Sequence, residues 1–134
     1  MKDNKLAFDA GALSLYYAGN ENVRQYFNDV SSRHKTGFVS EVNLAEFYYK
    51  TAEKFGLDTA ETWYMLTRRS MIILVAPNEV ITRDAAKLKL KYRGKLSLAD
   101  CFAISTAINN HCTLITTDTK IKQAKEVTTV YLSL

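Results

Sequence analysis

The chain has 134 residues, 47% of them hydrophobic, with one proline, five glycines and a net charge of +4. That length favours a single domain, here residues 1–134, and the composition excludes a disordered or fibrous chain. The N-terminal stretch MKDNKLAFDAGAL lacks the apolar region of a signal peptide, and no apolar run approaches the ~20 residues of a membrane span. The expectation is therefore a soluble cytoplasmic protein that does not engage a membrane.

In chain order, KLAFDA reads as a first strand ending near Asp9, which can cap a helix beginning AGALSLYY. TGFVS is the second strand, and Ser40 caps the helix EVNLAEFYYKTAEKF. Asp58 and Glu61 have the spacing of a capping box for TAETWYMLTRR. MIILVA is the third strand. Asn78 or Thr82 then starts a helix through Tyr92, in which Ile81, Ala85, Leu88 and Tyr92 recur at helical spacing, although the alternation in KLKLKY would also suit a strand. Ser97 with Asp100 repeats the capping-box spacing, CTLITT is the fourth strand, Asp118 opens the short basic helix TKIKQAK, and TTVYLS is the fifth strand. Short apolar runs alternating with helices imply an α/β fold, a three-layer α/β/α sandwich around a buried parallel five-stranded sheet with right-handed crossovers.

The stretch SLADCFAIS raises a question of energetics. On a helix starting near Ser97, Asp100 falls among Cys101, Ala103, Ile104, Ala107 and Ile108, while Ser105, Thr106, Asn109 and Asn110 fall on the other side. An ionised carboxylate on an apolar face is costly unless a cation or hydrogen-bond donors meet it. Ligands of parallel α/β sheets bind beyond the carboxyl ends of the strands. Asp9 and Asp118 fall at that rim by position, Asp100 falls there if the fold is of this type, and Glu46 on the helix after the second strand is a fourth candidate. Each has a simpler reading. Asp9 and Asp118 can be helix caps, Asp100 can be the third member of a capping box, and Glu46 can pair with Lys50 one turn on. Convergence on one rim is what caps alone do not require. Clustered carboxylates raise one another's pKa, and a hard divalent cation such as Mg²⁺ relieves that repulsion.

Other chemistries lack their residues. His34 and His111 have no partner at ligand spacing and read as surface or helix-end residues, and Cys101 and Cys112 read as reduced core thiols. There is no phosphate-binding glycine loop, dinucleotide fingerprint or serine-nucleophile elbow. A phosphoacceptor receiver domain would carry an acid at the end of the third strand, where MIILVAPNE has none. The basic residues Arg83, Lys87, Lys89, Lys91, Arg93 and Lys95, then Lys120, Lys122 and Lys125, make either a solvated face or a surface for an anionic partner. Trp63, Tyr64, Met65 and Leu66 either pack into the core or wall a groove for a peptide or a second protomer.

FDAGAL, VSEVNLAEFYYK, LSLADCFAISTA and LITTDTKI together resemble, in order and spacing, the four acidic motifs of PIN-domain ribonucleases, nearest to the small VapC-type toxins of toxin–antitoxin pairs. The resemblance spans nearly the whole chain and is most specific from Leu96 to Asp118. It implies the sheet order 3-2-1-4-5 and metal-dependent cleavage of single-stranded or looped RNA to products bearing a 5′-phosphate. It implies Asp9, Glu46, Asp100 and Asp118 as the catalytic and metal-binding quartet, with Asp9 and Asp100 the main Mg²⁺ ligands, Mn²⁺ a substitute, and Thr116 a hydroxyl beside the metal. It further implies a homodimer and a small antitoxin partner. The chain departs from the pattern at Ala10 and Gly11, where many members carry Ser, Thr or Asn, and at Lys120, where many carry a further acid. Two other readings share the motifs, a PIN nuclease for RNA processing and a catalytically inactive RNA- or protein-binding module.

Overall fold

The computed structural model describes residues 4–133. Five strands, β1 (Lys5–Phe8), β2 (Thr36–Ser40), β3 (Ile73–Val75), β4 (Thr113–Thr116) and β5 (Thr129–Tyr131), form one sheet in the order β3-β2-β1-β4-β5. Every neighbouring pair is parallel, with Ala7 opposite Phe38 on one side and Leu114 on the other. Seven helices connect them: α1 (Ala10–Tyr17), α2 (Glu21–Ser31), α3 (Glu41–Phe55), α4 (Leu57–Arg68), α5 (Glu79–Lys91), α6 (Leu98–Asn109) and α7 (Thr119–Ala124). The fold class and strand order are those expected from the sequence.

Alternation along the strands divides the core. Leu6, Phe8, Val39 and Ile115 face one side, where Leu13, Val23, Phe27, Val30, Leu44 and Phe47 from α1, α2 and α3 cover them and Trp63 of α4 packs against the cluster. Ala7 and Leu114 face the other side, beneath Ala85 and Leu88 of α5, Cys101, Ala103, Ile104 and Ala107 of α6, and Ile121 of α7. Phe8 and Tyr16 both stack on Phe27, and Trp63 lies parallel to Tyr17 and Phe47, so the Trp63 segment takes up core packing on its inner face. Both cysteines are free and buried, as expected.

One local expectation is corrected. α4 begins one residue before Asp58. Its N-cap is Gly56 (φ 97°), which makes no side-chain cap bond, so the Asp58–Glu61 box does not form. Glycine at the sharp α3–α4 corner lets α4 start early, because only there is the left-handed region free of a Cβ clash. The Glu61 carboxylate instead accepts a hydrogen bond from the Tyr48 hydroxyl at 2.8 Å. α6 is buried on part of its polar side as well. Ser105 and Thr106 are as buried as its apolar residues, because α5 packs on one flank and α3 on another. The Ser105 hydroxyl satisfies itself on the Ile81 carbonyl of α5 at 2.9 Å.

Candidate active site

The site lies at the carboxyl edge of the sheet, beside the junction of β1 and β4 where the chain's order in the sheet reverses. Asp9 follows β1 directly and is only 6% exposed. Its Oδ1 accepts the Ala12 N–H at 2.8 Å, capping α1, and its Oδ2 accepts the Thr116 hydroxyl at 2.5 Å. Thr116 ends β4, and its Oγ1 in turn accepts the Asp118 N–H at 3.0 Å. One buried hydroxyl therefore ties the end of β1 to the turn that presents Asp118. Asp118 caps α7 by accepting the Lys120 N–H at 2.8 Å.

Asp100 stands in the first turn of α6, where the capping box with Ser97 is complete. The Ser97 Oγ accepts the Asp100 N–H at 3.1 Å, and the Asp100 Oδ2 accepts the Ser97 N–H at 3.0 Å. Glu46 comes from α3, with Lys50 one turn on at 3.1 Å. Asn43, one turn before Glu46 and fully buried, donates to the Ala99 carbonyl at 3.0 Å and so fixes α3 to the turn of α6 that carries Asp100. Its Oδ1 is buried without a hydrogen-bond partner.

All four acids named from the sequence line one cleft, together with Ala10, Gly11, Ser14, Lys50 and Thr117. Each simpler reading is also realised, since Asp9, Asp100 and Asp118 cap their helices and Glu46 pairs with Lys50. A carboxylate offers about four acceptor positions, so caps that take one or two of them leave the rest free. Burial pushes the Asp9 carboxyl up to about 6, against the lowering effect of its hydrogen bonds to Thr116 and Ala12, and the charges of Asp100 and Glu46 push the same way as burial. Burial likewise raises Asp100, with the Ser97 bonds opposing and the charges of Asp118 and Glu46 adding to the rise. The four carboxylates thus share one electrostatic field.

A hard cation suits that donor set, which is all oxygen and bears more negative charge than Lys50 can offset. Among the described residues, no three of the His, Cys, Asp and Glu side chains stand close enough to enclose an ion as they lie. The four carboxylates line one cleft rather than enclosing a closed cage.

Ser14 and Thr117 are the cleft residues that the sequence did not single out. A Cβ built on Gly11 would stand 2.1 Å from the Thr117 Oγ1 and 3.5 Å from the Asp9 Oδ1. The Thr117 hydroxyl from the β4–α7 turn thus occupies the space where a side chain at Gly11 would lie. A side chain at position 11 would have to displace Thr117, a constraint that the sequence of α1 alone does not reveal. The basic run is also less available than its sequence implies. Arg83 pairs with Glu79 at 3.0 Å, Lys91 pairs with Glu126 at 2.7 Å, Lys89 donates to the Leu96 carbonyl, and Lys122 lies over the Tyr131 ring. His34 and His111 are exposed, as expected.

Fold and cleft together define a three-layer α/β protein with an acidic site at the switch point of a parallel sheet. The family model for the PIN domain matches residues 7–127, and the chain belongs to that family. Three solved structures similar to it are VapBC2 from Rickettsia felis bound to a promoter DNA fragment, DNA-bound VapBC from Salmonella typhimurium, and VapC20 from Mycobacterium tuberculosis, a toxin that cleaves the sarcin-ricin loop. Their TM-scores are 0.76, 0.74 and 0.73, at 14%, 13% and 11% identity. The first covers 95% of this chain and 98% of its own, the second 95% and 97%, the third 96% and 98%. No curated protein sequence matches the chain.

Proposed function

We propose that this chain is a Mg²⁺-dependent endoribonuclease acting on single-stranded or looped RNA, the toxin of a VapBC-type pair. The observation that carries the reading is the meeting of Asp9, Glu46, Asp100 and Asp118 in one cleft of a PIN-domain chain. The likeness to VapBC and VapC structures supports the toxin role, with a small antitoxin as partner; the free form of the chain is a homodimer in this reading.

Asp9 and Asp100 would hold the cation, for which Mn²⁺ could substitute, and the ion would supply positive charge at the scissile phosphate and lower the pKa of a water. Glu46 or Asp118, which line the same cleft, would orient the attacking water and accept its proton. Thr116 keeps the Asp9 carboxylate in one orientation, and Asn43 keeps Glu46 and Asp100 at a constant spacing. Lys50 neutralises Glu46 while the cation is absent, which limits carboxylate repulsion.

Asp100→Asn tests the reading. The amide oxygen still accepts the Ser97 N–H, so the capping box and the helix survive, and circular dichroism should match wild type. RNA cleavage in Mg²⁺ should fall by about 100-fold or more, because a neutral amide is a poor ligand for a hard cation. Cleavage at the wild-type rate would overturn the assignment.

A further inference from the structure

A second cleft, of about 340 Å³, opens between the turn that follows α5 and the flank of α7. It adjoins one of the carboxylates: Lys120, two residues from Asp118 and donor of the N–H that caps it, also lines this cleft. Leu96 and Ala124 give it an apolar floor, and Tyr92 forms one wall. Lys95, Lys120 and Gln123 supply its polar groups. Neither lysine is in an ion pair among the described residues, unlike Lys91 and Arg83 on α5.

The walls are held before any ligand arrives. The Tyr92 hydroxyl lies 2.5 Å from the Glu126 carboxylate and 3.2 Å from the Ala124 carbonyl, which fixes the ring against α7. The N–H groups of Lys95 and Leu96 donate to the Tyr92 carbonyl at 3.0 and 3.1 Å, and the Lys89 ammonium donates to the Leu96 carbonyl at 2.7 Å. A preorganised wall loses little freedom on binding.

Each group matches one part of a nucleotide. The volume is at the lower end of the ~300–1,000 Å³ of small-ligand sites. The apolar floor and aromatic wall suit the face of a nucleobase. The Gln123 amide offers a donor and an acceptor to a base edge, and two ammonium groups suit a phosphate. We propose that this cleft is a nucleotide subsite that takes the nucleoside phosphate adjoining the scissile bond of the RNA. Its place beside the reacting phosphate rests on the ribonuclease reading, whereas its affinity for a nucleotide does not. Occupancy there would set the register of the strand over the carboxylates and bias cleavage toward the base that fits.

The test uses the full-length chain in EDTA, where no cleavage occurs. Adenosine and uridine 5′-monophosphates and inorganic phosphate are titrated separately while backbone amides are followed by heteronuclear NMR. At least one nucleotide should shift the amides of Gly94, Leu96, Lys120 and Gln123 saturably, binding about tenfold tighter than phosphate because the base adds its own contacts. Gln123 is exposed on α7, so Gln123→Trp should fold and fill the cleft, removing those shifts. Lys95→Gln/Lys120→Gln should weaken nucleotide binding without filling the cleft. In Mg²⁺, Gln123→Trp should raise KM for RNA about tenfold with kcat nearly unchanged, since it removes contacts made equally in the ground and transition states. No saturable shift with either nucleotide, phosphate binding as tightly as the nucleotides, or unchanged nucleotide binding in both variants overturns the subsite. Nucleotide binding by a chain that cleaves no RNA would instead leave the subsite standing and remove the ribonuclease reading.

Discussion

Asp9 accepts two hydrogen bonds that favour its charged form, yet its carboxyl is pushed up to about 6 because burial outweighs them. The ordinary aspartate value near 3.8 applies once the chain unfolds. The native state therefore holds this proton more tightly than the unfolded state. Its ionisation costs stability fully above pH 6, and the cost fades as pH falls toward 3.8. A shift of about two units corresponds to about 3 kcal/mol. Asp9→Asn keeps an oxygen for the Ala12 N–H and removes the buried charge. In EDTA at pH 8 the variant should be more stable than wild type by about 1–3 kcal/mol in urea denaturation. The difference should shrink as pH falls from 6 to 4, and saturating Mg²⁺ should stabilise wild type alone. An equal difference at pH 8 and pH 4 would show that charge is not its source. Asp9 also shows what the sequence could and could not convey about a single residue. Its cap was legible from its place before a helix, and cap and ligand then looked like alternatives. They are compatible, because a carboxylate has more acceptor positions than the cap uses, and that compatibility becomes visible only when Thr116 and Ala12 are seen at separate oxygens.

Between elements, the decisive contact at the site is the one between the start of α1 and the β4–α7 turn. Gly11 leaves no room for a Cβ beside the Thr117 hydroxyl. Gly11→Ala must displace Thr117 at the mouth of the cleft, and overpacking of this kind costs about 1–3 kcal/mol. Thr117→Ala removes the obstructing oxygen. A double-mutant cycle in urea should therefore find the pair less destabilised than the sum of the singles by about 1 kcal/mol or more. Additivity within about 0.5 kcal/mol would mean the two residues do not compete for that space. The elements themselves were largely readable. Ser40, Asn78, Ser97 and Asp118 each cap the helix their position announces, since capping depends on a few adjacent residues. The reading that failed depends on distant chain. Asp58 and Glu61 have the spacing of a box, but Gly56 turned the corner early and Tyr48 claimed Glu61. A wheel of α6 places Ser105 and Thr106 on its polar side and leaves open that α5 and α3 bury them there.

At the scale of the molecule, the sheet gathers the carboxylates at one edge and leaves two sets of large apolar residues uncovered elsewhere. Phe55, Leu57, Leu66, Met71 and Ile73, from the end of α3 through α4 to the edge strand β3, are between 46% and 67% exposed. Leu66 and Met71 also line a groove with Tyr16, Tyr17 and Phe27. On the other layer, Val80 and Leu90 of α5 and Ile108 of α6 are exposed as well. Uncovered apolar side chains in such number mark association surfaces, and the proposed function calls for two associations, one with a second copy and one with an antitoxin. A stable interface buries roughly 1,200–2,000 Å² in total, more than a few side chains on a 134-residue chain supply twice over, so each association needs its own set. Leu66→Glu and Leu90→Glu separate them. Both positions are exposed, so the fold and the cleavage of RNA should persist, while a charge at the centre of an apolar contact should abolish binding there. Light scattering at micromolar concentration reads the homodimer, with an expected mass of twice 15.2 kDa for wild type. Co-purification from a strain expressing the antitoxin reads the complex. Each variant should lose one association and keep the other. Loss of both in one variant would mean a shared surface, and loss of neither would mean that the exposed residues serve some other contact.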